Sequence, residues 1–333
     1  MNEKFSLDSK DRRILYELDK NSRIPISSLG KKARISREVA DYRVRNLLKR
    51  GVIRKFLAII DLSTLGYTHY KICIQLRGMS EKKEKEFVQS LVGNPFVSWV
   101  ASCDGPYSMA FAIRAKDMFQ LSRQLQSAIG EYGDYFIEKD IAPIVEAQHF
   151  NRDYLVGKSG SERQVTWGGP LRRVELDETY FEILDVLAKN SRATSTEIAG
   201  MLGMSPDGVI GRIKKLEAAG TLKGYMVFLN NALAGQLYYK VLVSFKEMTP
   251  DEEKSVSSFC RDHPNIVYTV KTFGKWDFEM DIEVKNTVEF RRVMRDFVNR
   301  FSGLIKRYYP LNIYEEYKFD FFDKRILTGG GKG

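Results

Sequence analysis

Arg37, Glu38, Tyr42 and Arg45 are the side chains whose types and spacing suit one chemistry in this 333-residue chain. Glu38, Tyr42 and Arg45 follow each other at four- and three-residue steps, so a helix puts them on one face, with Arg37 at its leading end. Arginine's forked donors match the paired acceptors on a guanine edge, and a carboxylate can accept from cytosine. The chemistry implied is hydrogen-bonded reading of bases rather than bond making. Lys31, Lys32, Arg34, Arg54 and Lys55 flank the set and suit phosphate oxygens, which fix register without reading sequence. Ser36 and Arg43 complete the candidate contact set for double-stranded DNA.

A short capped helix has to carry these groups. Ser36 is placed to cap it, Ala40, Val44 and Leu47 form its apolar stripe, and Gly51 ends it. Upstream, Ile14, Leu15 and Leu18 line a first helix. A second helix around Ser27–Lys32 and a tight turn at Ala33-Arg34 lead into the third. Three short helices in this order make a helix-turn-helix, expected as a winged-type DNA-binding domain over residues 1–60.

Residues 61–150 have a different pattern. Tyr70, Ile72, Ile74 and Leu76 alternate with polar or small residues, as a strand with one buried face does. A charged helix over Glu81–Leu91 follows, then strands near Val97–Ser102 and Met109–Ile113. A helix from Asp117 to about Ile129 and a strand near Phe136–Val145 complete the order β-α-β-β-α-β, which is ferredoxin-like.

The whole arrangement recurs at a constant shift of 169 residues. Lys20-Asn21-Ser22-Arg23 becomes Lys189-Asn190-Ser191-Arg192, Gly51 becomes Gly220, Tyr70-Lys71 becomes Tyr239-Lys240, and Gly105 becomes Gly274. The fold class expected is therefore α+β, with two copies of a helix-turn-helix followed by a ferredoxin-like sensing domain. The second copies are expected at 176–229 and 230–323. Residues 151–175, rich in Gly, Ser and charge, read as a linker in which Tyr154, Leu155 and Trp167 can dock locally. Residues 324–333 read as a disordered tail; LTGGGKG lacks the Ser or Thr and the following helix that a phosphate loop needs.

Composition narrows the function classes. No apolar run approaches a membrane span, and the start of the chain lacks a signal-peptide core. Three separated cysteines and three scattered histidines give no disulfide framework and no metal-ligand spacing. A cytoplasmic protein with no cofactor and no membrane partner is expected. The formal net charge is +10, and it is unevenly distributed. Residues 8–55 hold 15 Lys and Arg against 6 Asp and Glu, whereas the matching span 177–224 holds 6 against 7. Arg37, Glu38, Tyr42 and Arg45 correspond to Pro206, Asp207, Gly211 and Lys214. Since phosphate neutralisation supplies most non-specific affinity, the second helix-turn-helix is expected to be degenerate.

Taken together, Leu7-Asp8, Asn21-Ser22-Arg23, Ile35-Ser36, Gly51-Val52-Ile53, Leu65-Gly66-Tyr67 and Gly105 resemble the leucine-responsive regulatory protein family, Lrp/AsnC. Met204-Ser205-Pro206, Arg212–Glu217, Gly220 and Gly274-Lys275-Trp276-Asp277 carry the likeness in the second copy. The resemblance implies a prokaryotic transcription regulator, not an enzyme, whose sensing domains pair through their sheets and often bind an amino acid. It implies an effector site at Gly274, Trp276 and Asp277, with Gly105 and Tyr107 in the first copy, where Ser108 replaces the usual Asp. With two sensing domains on one chain, pairing within the chain is expected, together with a homo-oligomer. Two other readings exist. Siroheme decarboxylases resemble the same family, but the stretches Phe96–Ala101 and Asn265–Val270 contain no His or Arg for that chemistry. A ligand-sensing scaffold for protein partners would not need the basic first module.

Overall fold

The computed structural model describes residues 6–160 and 164–328. The first module holds α1 (Ser9–Lys20), α2 (Ile26–Ala33) and α3 (Arg37–Lys49), followed by β1 (Ile53–Ile60). Asp8 caps α1 in a capping box with Asp11. Ser36 Oγ accepts from the Val39 N–H at 3.3 Å at the head of α3. Ala40, Val44 and Leu47 are the buried face of α3, and the last two join Ile14, Leu15, Leu18 and Leu29 in the module's core.

Next come β2 (Thr68–Leu76), α4 (Glu81–Gly93), β3 (Val97–Asp104), β4 (Met109–Ala115), α5 (Met118–Ile129) and β5 (Phe136–Phe150). After β6 (Gln164–Gly168) the pattern repeats as α6 (Glu178–Lys189), α7 (Ser195–Leu202), α8 (Pro206–Ala218) and β7 (Leu222–Leu229). The second ferredoxin-like domain has β8 (Leu237–Phe245), α9 (Pro250–Asp262), β9 (Ile266–Thr272), β10 (Phe278–Val284), α10 (Thr287–Phe301) and β11 (Ile305–Phe319).

The copies are joined at three levels. First, β1 and β7 form an antiparallel ribbon in which Leu57 faces Met226, its own equivalent in the repeat. Second, the helical modules touch on the same pseudo-twofold axis. Ser22 and Ser191 hydroxyls share a 2.6 Å hydrogen bond. Arg23 donates to the carbonyls of Ser191 and Ala193, and Arg192 donates to those of Ser22 and Ile24. Third, the sheets close on each other. β5 pairs with β2 of its own copy and with β9 of the other, while β11 pairs with β8 and with β3. The strands run in the order β2-β4-β3-β11-β8-β10-β9-β5, and β5 returns to β2. The result is a closed eight-stranded barrel with the helices outside it, and the two ferredoxin-like sheets pair within one chain.

The segment between the copies is not a free linker over 151–175. Asn151, Arg152 and Asp153 are buried, and Asp153–Leu155 forms a short 3₁₀ turn with Leu155 buried. β6 covers the open edge of β5 from Glu146 to Phe150, the usual remedy for unpaired strand groups. Trp167 is buried, and its indole N–H donates to the Tyr268 hydroxyl at 2.5 Å. The tail departs from expectation too. Lys324–Ile326 is a 3₁₀ turn with Ile326 buried, Phe322 stacks on Phe181 of α6, and the Tyr67 hydroxyl donates to the Ile326 carbonyl. Residues 329–333 of the expected disordered tail lie outside the described residues.

Arg152 pins the first module to the second sheet. It is buried, with Nη1 2.5 Å from Asp19 of α1 and Nε 2.9 Å from Glu283 of β10. Removing one partner of a buried ionic cluster strands the remaining charges and typically costs about 3–5 kcal/mol. Arg152→Ala should therefore lower unfolding stability by about that amount in urea titrations. A loss within the scatter of surface substitutions would show that Asp19 and Glu283 find other compensation.

Candidate functional site

On α3 the reading face is open. Arg37 and Glu38 are exposed, and Tyr42 is 69% exposed. Arg45 is paired with Asp41 at 2.6 Å but keeps 77% of its side chain in solvent. Such a surface pair is worth at most about 1 kcal/mol and gives way to a better acceptor. Lys31 and Lys32 lie exposed in the last turn of α2, Lys32 meeting Glu17 at 2.9 Å. Arg34 occupies the left-handed turn between α2 and α3 with φ +57°, alone among the described non-glycine residues in having positive φ. Its counterpart is Gly203, the residue type that this conformation favours.

Three of the basic residues expected at DNA are engaged elsewhere. Arg43 turns back to α1 and bridges Asp8 at 2.8 Å and Asp11 at 2.7 Å, so it struts two helices. Arg54 stacks over Phe228, 5.6 Å from its ring centre, and pairs with Glu315 of β11. Lys55 is half-buried, and that burial lowers its pKa in surroundings that include Asp320, Lys189, Arg114 and Asp185. For Arg54 and Lys55 the cause is the ribbon: β1 is paired with β7, not displayed beside α3.

α8 presents a different face. Ser205 caps it, and Gly208 and Gly211 leave its surface smooth. Ile210 on α8 is 39% exposed, and Met201 on the neighbouring α7 67%. No guanidinium stands where Arg37 or Arg45 stand in the first module.

Of the five expected effector residues, two line a cleft. Gly274 and Asp277 border a space of about 1030 Å³ between β5, β8 and α9, together with Lys271, Lys275 and Arg307. The Asp277 carboxylate accepts from the Phe245 N–H at 2.8 Å. Ser108 does the same for Leu76, the equivalent residue, at 2.8 Å. The Ser/Asp difference therefore preserves one structural hydrogen bond. Trp276 is buried and donates from Nε1 to Glu279 at 3.0 Å, so it faces the barrel interior. Tyr107 is also buried, its hydroxyl 2.6 Å from Asp140. Gly105 holds φ +134° directly under β11, where a Cβ would come within 2.8 Å of the Pro310 carbonyl. Packing alone demands that glycine.

Comparison with known proteins bears on this geometry. Residues 7–54 and 176–223 each match the model for winged helix-turn-helix DNA-binding domains. An uncharacterized HTH-type transcriptional regulator of Pyrococcus furiosus is 29% identical over 155 residues, covering 46% of this chain and 96% of that protein. The leucine-responsive regulatory protein of Rhizobium meliloti is 31% identical over 127 residues, covering 38% of this chain and 79% of that protein. The chain belongs to the Lrp/AsnC family. The crystal structure of the siroheme decarboxylase NirDL matches along the whole tandem, covering 97% of this chain and 98% of that one. Its TM-score is 0.58 at 15% identity, so what the two share is the fold.

The barrel interior holds a feature that reading the sequence missed. β2 and β8 bury both faces, so Lys71 and Lys240, equivalent residues, point inward and are fully enclosed. Glu279 lies between them, 3.1 Å from Lys240 and 3.7 Å from Lys71. Asp281 meets Lys240 at 2.5 Å and the Tyr238 hydroxyl at 2.7 Å. Trp99 sits over this group, with Lys71 Nζ 3.9 Å from its ring centre, and donates from Nε1 to Glu316 of β11 at 2.7 Å. The available signal was the lysine repeated at an alternating strand position, which a one-sided sheet would have turned to water.

Burial pushes the Glu316 carboxyl up to about 7, with Asp281 and Glu283 adding to the rise and Trp99 and Lys240 opposing it. The folded state then holds a proton between the ordinary carboxyl value of 4.5 and about 7 that the unfolded chain releases. This group's contribution to stability therefore falls as pH rises across that window and is flat above it. Glu316→Gln should flatten that part of the stability–pH curve, read from thermal unfolding at closely spaced pH values. An unchanged slope would mean that Glu316 titrates normally.

Proposed function

We propose that this family member reads DNA one-sidedly, through α3 and not through α8. As an Lrp/AsnC protein with two winged helix-turn-helix matches, the chain is a DNA-binding transcription regulator. The observation that carries the one-sided reading is the contrast between equivalent faces. Arg37, Glu38, Tyr42 and Arg45 stand exposed on α3, where α8 offers Pro206, Asp207, Gly211 and Lys214. Arg37 and Arg45 are assigned to base edges, and Lys31, Lys32 and Arg34 to phosphates. Because the pseudo-twofold is filled by one chain, a palindromic site requires two chains to supply two readers.

The protein is further proposed to act in the cytoplasm without catalysing a reaction, in answer to a small effector. The cleft beside Gly274 and Asp277 is the site favoured for an amino-acid-like ligand, since its lysines and Arg307 suit a carboxylate. The decarboxylase reading finds no support in the stretches Phe96–Ala101 and Asn265–Val270, which contain no His or Arg.

Arg45→Ala should weaken specific binding to the protein's own promoter by about one to two decades, from about 1–3 kcal/mol per bidentate contact. Lys214→Ala should leave it unchanged. A gel shift at two salt concentrations measures both, and equal losses would sink the one-sided reading. Arg34→Gly gives an independent check. Relieving the left-handed arginine should raise unfolding stability by up to about 1 kcal/mol, while the lost phosphate contact lowers the salt dependence of binding by about one ion. A more stable variant with an unaltered salt slope would remove Arg34 from the interface.

A further inference from the structure

Between the barrel and the β1–β7 ribbon lies a cavity of about 70 Å³. It is distinct from the cleft at Gly274, with which it shares none of its lining residues. Trp99, Trp167, Tyr238, Tyr268 and Phe319 line it beside paired charged side chains such as Lys240 and Arg152, and Glu316 opens onto it. Aromatic faces around a carboxyl are the arrangement that recognises organic cations, through ring quadrupoles and one ion pair.

The buried cations beside the cavity are Lys71, Lys240, Arg152 and Arg114. Each meets a carboxylate: Glu279, Asp281, Glu283 or, for Arg114, Asp320. The carboxyl that stands outside these pairs is Glu316. Among the described residues its side chain forms no ion pair, and the Trp99 indole is its hydrogen-bond donor. Arg152 is taken by Asp19 and Glu283, and Lys240 by Glu279 and Asp281. An isolated buried carboxylate is costly, so the site is completed either by a proton or by a cation.

We propose that this cavity binds a small primary ammonium, whose head pairs with Glu316 and whose short apolar tail lies against Trp99, Tyr268 and Phe319. Size sets the limit. A 150 Å³ apolar cavity takes a six-carbon ring, so this one takes about three to four non-hydrogen atoms. Binding converts Glu316 from its protonated to its ionised form, and that proton leaves to solvent. The groups facing Glu316 are Trp99 from β3, Tyr238 and Lys240 from β8, and Asp281 and Glu283 from β10. Its own backbone carbonyl accepts from Arg54 Nη1 at the foot of the first module, so an occupied site would be felt where that module joins the barrel.

The probe is propylammonium, with propan-1-ol as the neutral isostere, hexylammonium as the oversized homologue, and sodium chloride as the ionic-strength control. Full-length protein is titrated near pH 6.5 while tryptophan fluorescence and heat are followed in two buffers of different ionisation enthalpy. The expected result is saturable binding of propylammonium alone, with proton release, and an affinity at least about tenfold weaker in Glu316→Gln. The glutamine keeps an acceptor for Trp99. If that variant does not fold, proton release in the unmodified protein decides instead. Equal responses to propanol or hexylammonium, binding without proton release, or no saturable response would each overturn the proposal. None of these outcomes touches the DNA reading, because the promoter gel shift is run without amine and its failure would leave this titration unaffected.

Discussion

Everything in this molecule depends on two fifteen-residue strands that each belong to both copies. β5 and β11 spend their first halves in their own sheets and their second halves on the opposite copy's β9 and β3. That exchange closes the barrel and removes the free edges a four-stranded ferredoxin-like sheet would otherwise expose. It also dictates burial. Once the sheets close, the inner positions of β2, β3, β4, β8 and β10 lose water, and any polar group left there has to find a partner inside. Cys73, Trp99, Ala101, Ala110 and Leu242 fill much of this space. Lys71, Lys240, Glu279 and Asp281 occupy the rest, and they persist because each has an opposite charge within reach.

The same closure sets the helical modules. Since the barrel fixes where β1 and β7 begin, the ribbon brings the two modules together at Ser22 and Ser191. The ribbon's own side chains are then committed to holding the modules in place, as Arg54 is to Glu315 and Phe228. Residues on α2, α3 and their turn stay exposed. Arg34 illustrates the trade. A glycine there would relax the backbone, as Gly203 does in the second copy, yet the basic side chain is kept at a conformational cost of about 1 kcal/mol.

What could be read from the sequence was what depends on neighbours close in the chain. Ser36 caps its helix because its hydroxyl reaches the amide three residues on, and the apolar steps Ala40, Val44 and Leu47 predict a buried stripe that is buried. The repeat made the second copy legible from the first. Misreadings began where the deciding neighbour is distant. Arg54 and Lys55 look like free cations until β7, far along the chain, is laid beside β1. Lys71 looks solvated until a second sheet covers its face. Gly and Ser in 151–175 suggest an untethered connector, whereas Trp167 and the open edge of β5 recruit part of it as β6. Trp276 and Asp277 are adjacent in the turn between β9 and β10, yet one side chain goes inward to Glu279 while the other is bonded to the Phe245 amide.

Fusion of the two copies gives the interior chemistry its latitude. In a symmetric pair of identical chains, a residue near the axis meets its own copy, so a lysine there faces a lysine and a glutamate a glutamate. Lys71 and Lys240 are such a pair, and one shared glutamate lies between them. Glu279 supplies it, and its equivalent in the first copy is Ala110, which contributes no second charge. Asp281 and Glu283 likewise correspond to Ala112 and Arg114. The last of these reverses sign, so that Arg152 meets Glu283 on one side of the axis while Arg114 meets Asp320 on the other. An arrangement with unlike residues at equivalent positions needs each copy to mutate without dragging its twin along, and a single continuous chain allows that. The freedom that lets α3 and α8 carry different faces is the freedom that lets unlike charges stand at equivalent positions inside the barrel. The asymmetry of the surface and that of the core therefore have one origin.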